Sequence, residues 1–361
     1  MAKKNQLFIH PTDLCNLDCA FCVYAQERKK GLPCANLDLT KGFAAKSLSN
    51  LAGGAQHIAF SGGGEPFLNM EAILACIGLN TKRKYMVTTG LGMPLAELEE
   101  KIGRLNLACW QGDSYCVVRI SADSFHHTMD FNGACGTVLR WFLEKRWDHV
   151  RTCFIRGTVA EGPQLLENLK DFCARNQLPC ISRKMNDFTY AFIIQGQFFQ
   201  VLLRPTIYPN PEELALEDSL LEYIDKMMEI DTEKVYLGKP RSCRGCKGCD
   251  SWKSGLENGL DVTVNAKGDV LLYGAEIASL ANIYTEEVSY DLLEQRVRAL
   301  PEMQLLQSFD IRYVMEAFSA DGKLGELVRS INYPFAVIRE CMKEHREDVY
   351  RVIRQLGDSA V

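Results

Sequence analysis

Nowhere in the sequence do ~18 apolar residues run together, the length a helix needs to cross a bilayer, so no membrane span is expected. The N-terminus, MAKKNQLFIHPTD, lacks the long apolar core of a secretory signal. Positive charge is not in excess either: 41 Lys and Arg stand against 46 Asp and Glu, a formal net charge of -5. Without a basic surplus or a recognisable RNA module, nucleic acid is not an expected partner. Repeats and low-complexity tracts are missing as well. These absences leave a globular chain placed in the cytoplasm. Its 361 residues, 47% of them apolar, are enough for one large domain and a smaller one.

Cysteine, by contrast, is abundant, with 15 residues. In a reducing cytosol such a count points to metals, catalysis or plain burial rather than disulfides. Six fall into two tight groups, Cys15, Cys19 and Cys22, then Cys243, Cys246 and Cys249. The scattered remainder (Cys34, Cys76, Cys109, Cys116, Cys135, Cys153, Cys173, Cys180 and Cys341) is expected in the core, where free cysteine usually lies.

Up to about residue 185, short apolar runs alternate with longer amphipathic ones. Strands are expected over 7–10, 57–61, 85–89, 116–121, 150–159 and 180–183. Helices are expected over 40–51, 70–79 (with Asn69 as N-cap), 95–105, 137–145 and 163–176, the last with Pro163 in its first turn. Strands alternating with helices imply parallel pairing through helical crossovers. Six units suit an open, partial (β/α)6 parallel barrel over residues 1–190, with ligands beyond the carboxyl ends of the strands. The alternation then stops. Residues 191–235 read as a linker strand and an amphipathic helix, 236–290 as a small cysteine-rich extension with a hairpin at 260–272, and 291–361 as a helical C-terminal tail.

The first cysteine group has C-x3-C-x2-C spacing in the loop after the first strand. Three thiolates can hold three irons of a four-iron cluster and leave the fourth open to a small molecule. Zinc is the alternative, but structural zinc sites are closed by four ligands, and no fourth lies close in sequence. The run Cys15-Asn16-Leu17-Asp18-Cys19-Ala20-Phe21-Cys22 resembles the signature of radical S-adenosylmethionine enzymes, including the aromatic residue before the last cysteine. The resemblance covers about the first 185 residues. It implies a [4Fe-4S] cluster that binds S-adenosylmethionine and cleaves it to a 5′-deoxyadenosyl radical, which abstracts a substrate hydrogen. A reductase or flavodoxin would supply the electron.

Other segments agree with the resemblance. Ser61-Gly62-Gly63-Gly64-Glu65-Pro66 looks like the family's glycine-rich loop, whose backbone oxygens hold the methionyl amine. Thr88, in Thr88-Thr89-Gly90, stands where family members often carry a polar residue for the ribose, although the commoner asparagine is absent. Arg119 and Ser121 share one face of the fourth strand, opposite Val118 and Ile120. The resemblance assigns Ser121 to ribose or carboxylate and Arg119 to the methionyl carboxylate; an ordinary ion pair is the alternative for Arg119. Phe21 is a candidate cover for the adenine, and Arg156 a candidate anion binder for substrate. His126 and His127 are candidates for proton transfer.

The second group, Cys243-Arg244-Gly245-Cys246-Lys247-Gly248-Cys249, matches the first three cysteines of the ferredoxin run. With the hairpin at 261–270 and Leu280-Ala281-Asn282-Ile283, it resembles the SPASM or twitch extensions that bind auxiliary four-iron clusters. One departure is clear: Leu272-Tyr273-Gly274 stands where the family hairpin is usually followed by cysteine. One auxiliary [4Fe-4S] cluster is expected, with Cys341, Cys34, Asp250 or substrate as fourth ligand; structural zinc is the alternative. Cys116, Cys135 and Cys153 are candidate hydrogen-atom donors.

The expected function is hydrogen abstraction from a small-molecule or peptide substrate in natural-product or cofactor biosynthesis. A ribosomal-peptide maturase and an RNA-modifying enzyme of the same superfamily are the alternatives. The barrel is expected to start near residue 7, leaving no peptide-recognition domain before it, which favours a small molecule or a peptide presented by another protein.

Overall fold

The computed structural model describes residues 5–19, 22–29, 31, 33–79, 84–89, 91–204, 259–272, 279–300, 311–331 and 334–359. The second cysteine group, Phe21, Asp250 and the linker helix lie outside them. In chain order the first elements are β1 (Asn5–Ile9), α1 (Val23–Lys29), α2 (Ala44–Gly54), β2 (Ala55–Phe60), α3 (Met70–Leu79), β3 (Lys84–Thr89), α4 (Leu95–Gln111) and β4 (Tyr115–Ser121). They are followed by α5 (Ala134–Leu143), β5 (Val150–Thr158), α6 (Gly162–Arg175), β6 (Cys180–Asn186), β7 (Thr189–Ile194), β8 (Gln197–Arg204), β9 (Asp261–Val264), β10 (Asp269–Leu272) and β11 (Ser279–Asn282). The architecture is α/β with mixed, unclosed sheets. The chain divides into two compact units, one of residues 9–39 and 57–206, the other of residues 1–8, 40–56 and 207–361. No helix among the described residues is long and apolar enough to cross a membrane.

In the unit of residues 9–39 and 57–206, the strand order is β2-β3-β4-β5-β8-β7-β6. Strands β2 to β5 pair parallel. Alternation in β4 shows why: Cys116, Val118 and Ile120 are at most 1% exposed, on the face packed by helices. Helix α4 buries Leu98, Ile102, Leu105 and Cys109, a stripe at helical spacing. Both patterns are visible in the sequence.

The sixth strand differs from expectation. Residues 180–183 do form a strand, but β6 lies at the sheet edge, antiparallel to β7, and is exposed along most of its length. The sixth parallel place beside β5 belongs to β8. The apolar run 191–203 is not one strand but two, folded back at Gln195 and Gly196, whose φ values of 50° and 77° make a two-residue hairpin turn. Phe199, Val201 and Leu203 of β8 are buried, which suits an inner strand; Ser182, Arg183 and Lys184 of β6 suit an edge.

In the other unit, β9, β10 and β11 form an antiparallel meander, as the hairpin pattern predicts. Asn265 closes the turn: its side-chain oxygen accepts from the N–H groups of Lys267 (3.0 Å) and Asp269 (2.9 Å). Asn5 donates to the Gly54 carbonyl at 3.2 Å and accepts from the Leu260 N–H at 2.8 Å. After a helix at Tyr290–Arg298, the tail forms helices at Ile311–Ala320, Leu324–Ser330, Pro334–Glu344 and Arg346–Ser359. Val314, Phe318, Ile338 and Ile353 are fully buried there. So is Cys341, whose thiol burial pushes up to about 12.

Candidate functional site

Residues 11–14, which lead into the cysteine loop, are held on two sides. Toward residues 35–37, the Asp13 N–H donates to the Ala35 carbonyl at 2.9 Å and the Ala35 N–H returns to the Asp13 carboxylate at 3.1 Å. The Thr12 hydroxyl donates to Asn36 at 2.6 Å. Toward the glycine loop, the Gly64 N–H donates to the Thr12 carbonyl at 2.7 Å and the Glu65 N–H to the Leu14 carbonyl at 2.9 Å. Asn69 anchors the base, donating to the carbonyls of Pro11 (2.7 Å) and Leu37 (3.1 Å).

This packing explains the three glycines. Gly62 and Gly63 have φ near +67° and +65°, a region that side chains rarely adopt. A Cβ at Gly62 would stand 2.4 Å from His10 Nε2, and one at Gly64 only 1.8 Å from the Leu14 carbonyl oxygen. The glycine loop is therefore seated directly against the cysteine loop. Glu65 is buried at 3% exposure, and its carboxylate accepts from the Phe67 N–H at 3.3 Å, capping the short turn Pro66–Asn69.

Arg28, on α1, joins the two loops. Its guanidinium donates to the carbonyls of Asp13 (3.3 Å) and Leu17 (3.3 Å) in the cysteine loop and of Gly63 (3.2 Å) in the glycine loop. Sequence reasoning missed this residue. A basic side chain six positions after Cys22 on a helix was the available signal, and nothing in the pattern distinguishes it from an exposed arginine. The Asn16 amide also donates to the Gly92 carbonyl, tying the cysteine loop to the segment after β3.

Of the three cysteines, Cys19 is buried and Cys15 and Cys22 are half-buried. Burial pushes the Cys15 thiol up, against the lowering effect of the Leu17 N–H and the Arg28 charge. Burial likewise raises Cys22, against hydrogen bonds from the N–H groups of Ala25 and Tyr24 in the first turn of α1. Cys15 feels the charge of Cys22, and Cys22 that of Cys19, so the thiols are neighbours. Among the described residues, no group of three or more His, Cys, Asp or Glu side chains is gathered as a metal would require.

His126 reaches the same loop. Its Nδ1 lies 2.6 Å from the Asp123 carboxylate, which also accepts the His126 N–H at 2.9 Å. Burial opposes a charged ring, but the hydrogen bonds to Asp123 and Cys19 outweigh it and push its pKa up to about 9. The Cys19 sulfur also lies 3.7 Å from the Phe125 carbonyl. His127, by contrast, is exposed with φ 53°.

No protein-family model matches the chain, and no curated protein matches it significantly.

The remaining candidates sort by strand face. Arg119 pairs with Phe154 on β5 and Ser121 with Arg156, so Arg119, Ser121 and Arg156 share one face at the carboxyl ends of the strands; Thr88 is the register partner of Arg119 on β3. Cys116 is on the opposite, helix-packed face at 1% exposure, and burial holds its thiol well up. Cys135 is equally buried, on α5. Of the three thiols considered as hydrogen-atom donors, only Cys153 is partly accessible. Cys34, expected in the core or as a ligand, is exposed.

Proposed function

We propose that this chain is a radical S-adenosylmethionine enzyme whose first-domain strands form a partial (β/α)6 barrel. The observation that carries the proposal is the clamped pair of loops: a C-x3-C-x2-C loop after β1, joined by backbone hydrogen bonds and by Arg28 to a triple-glycine loop after β2. In this proposal Cys15, Cys19 and Cys22 supply three thiolates to an iron–sulfur cluster: Cys15 feels the charge of Cys22 and Cys22 that of Cys19, and backbone N–H groups of Leu17, Tyr24 and Ala25 point at two of the sulfurs. When bound, the cluster supplies the electron that cleaves S-adenosylmethionine and so starts hydrogen abstraction from substrate.

In this reading, Cys15, Cys19 and Cys22 hold the cluster, and the backbone of Gly62, Gly63 and Gly64 receives the methionyl amine. Arg119 and Ser121 receive its carboxylate or ribose, with Thr88 beside them. Phe21, proposed to cover the adenine, lies outside the described residues. So do Cys243, Cys246 and Cys249, proposed to hold an auxiliary [4Fe-4S] cluster. An external reductase or flavodoxin delivers the electron, and the substrate is a small molecule or peptide.

The test is anaerobic purification with iron and sulfide analysis, followed by reduction with dithionite in the presence of S-adenosylmethionine. The proposal expects iron and sulfide in equal amounts and formation of 5′-deoxyadenosine. Zinc in place of iron, or no 5′-deoxyadenosine from an iron-loaded protein, overturns it.

A further inference from the structure

We infer that Arg156 is the anchor for a carboxylate or phosphate group of the substrate. The inference rests on the proposed function for what the substrate is, but not for the existence of the anion site.

Arg156 is half-buried near the carboxyl end of β5. Its backbone is fixed: its carbonyl accepts the Ala122 N–H at 2.7 Å, and its register partners are Ser121 on β4 and Leu202 on β8. Alternation then sets its direction. The next residue toward the strand start, Ile155, is fully buried on the helix-packed side, beside the equally buried Ile120 and Val201. Arg156 therefore stands on the other face, with Ser121 and Leu202 flanking it and Arg119, Phe154 and Gln200 in the row below.

None of those five neighbours is acidic. Asp123, the next acid along the chain from β4, already binds His126. Among the described residues the Arg156 guanidinium has no hydrogen-bond or ion-pair partner. A half-buried cation flanked by Phe154 and Leu202 has lost part of its hydration without gaining a counter-charge, and that deficit is removed by an anion. A guanidinium fork matches a carboxylate or a phosphate bidentately.

Position separates this anchor from the two loops proposed for the cluster and the methionyl amine. The two loops that would hold cluster and cofactor follow β1 and β2, whereas Arg156 is on β5, across β3 and β4. An anion held there places the rest of the molecule over the same sheet face, between Arg156 and the cysteine loop.

The experiment uses the intact wild-type chain. Arginines are labelled with phenylglyoxal, and the rate at each residue is read by mass spectrometry with increasing inorganic phosphate or acetate. The expected result is saturable, several-fold slowing at Arg156, while exposed Arg183 is unaffected. Slowing by phosphate alone assigns a phosphoryl group, and by acetate alone a carboxylate. Equal rates at Arg156 with and without either anion overturn the inference.

A second measurement separates substrate from cofactor. Arg156→Gln is expected to bind S-adenosylmethionine as wild type does in equilibrium dialysis, while losing anion binding. Loss of S-adenosylmethionine binding would place Arg156 on the cofactor and overturn the assignment. Absence of 5′-deoxyadenosine with Arg156 still protected would reject the radical reaction and leave the anion site standing.

Discussion

The guanidinium of Arg28 and the carbonyl of Gly63 meet at 3.2 Å, so that one side chain on the helix following the cysteines holds the loop following the next strand. The same guanidinium binds the Asp13 and Leu17 carbonyls. Replacing it with methionine keeps the bulk and removes every one of these bonds. Arg28→Met is expected to cost about 1–3 kcal/mol of local stability, to lower iron occupancy after reconstitution, and to open residues 13–19 to proteolysis. Iron content and limited digestion read this directly. Full iron with an unchanged digestion pattern would mean the clamp is dispensable.

Glycine substitutions should divide sharply by what surrounds them. In Gly64→Ala the new Cβ would meet the Leu14 carbonyl at 1.8 Å, and backbone cannot swing aside as a side-chain tip can. A loss of about 2–4 kcal/mol is expected. Gly103, in the middle of α4, has nothing within 4 Å of a Cβ and no positive φ. Gly103→Ala should stabilise the protein by about 0.5–1 kcal/mol through helix propensity. Thermal melts of the two variants test the pair together.

How far the sequence went is clear from these residues. The cysteines and glycines announce themselves because their chemistry is local: spacing alone puts three thiols in one loop and three small residues in the next. The stripe of α4 and the alternation of β4 are local too. Arg28 was not legible, because its role depends on carbonyls brought to it by the chain fold. The sixth parallel strand was misassigned for a related reason. The turn at Gln195 and Gly196 carries only one glycine, so the apolar run across it looked continuous, and β6 seemed to be the next strand in line. Arg156 was legible in sequence as a candidate anion binder, and register adds that its flanking strand partners carry no acid.

The two cysteine groups can be separated by counting iron. The triple replacement of Cys15, Cys19 and Cys22 by alanine is expected to remove about four irons and all 5′-deoxyadenosine formation. The equivalent replacement of Cys243, Cys246 and Cys249 is expected to remove about four irons and leave cofactor cleavage measurable. Iron unchanged in the second variant, with zinc lost, would make that group a structural zinc site.

Acid should loosen the helical tail in a predictable direction. The Arg351 guanidinium, 2.7 Å from Asp321, together with the Leu324 N–H, holds the Asp321 carboxyl below its ordinary 3.8. Lys323 and Arg351 do the same for Asp348. Carboxyls depressed in the folded state contribute stability that is present above 3.8 and lost as pH falls through their lower folded values. The melting difference between wild type and Arg351→Met should therefore be larger at pH 7 than at about pH 3. An equal difference at both would show that Arg351 acts by packing rather than charge.

The seating of Gly62, Gly63 and Gly64 against His10, Thr12 and Leu14 also bears on how such a chain would diverge over time. Gly63 and Gly64 are required by backbone contact, and Gly62 by its left-handed φ against the His10 ring, whether or not anything is bound there. A descendant that abandoned the chemistry would be free to lose its cysteines, yet would still be compelled to keep its glycines. Among distant relatives, retention of the triple glycine would mark shared loop geometry, and only the cysteine trio would mark the proposed chemistry.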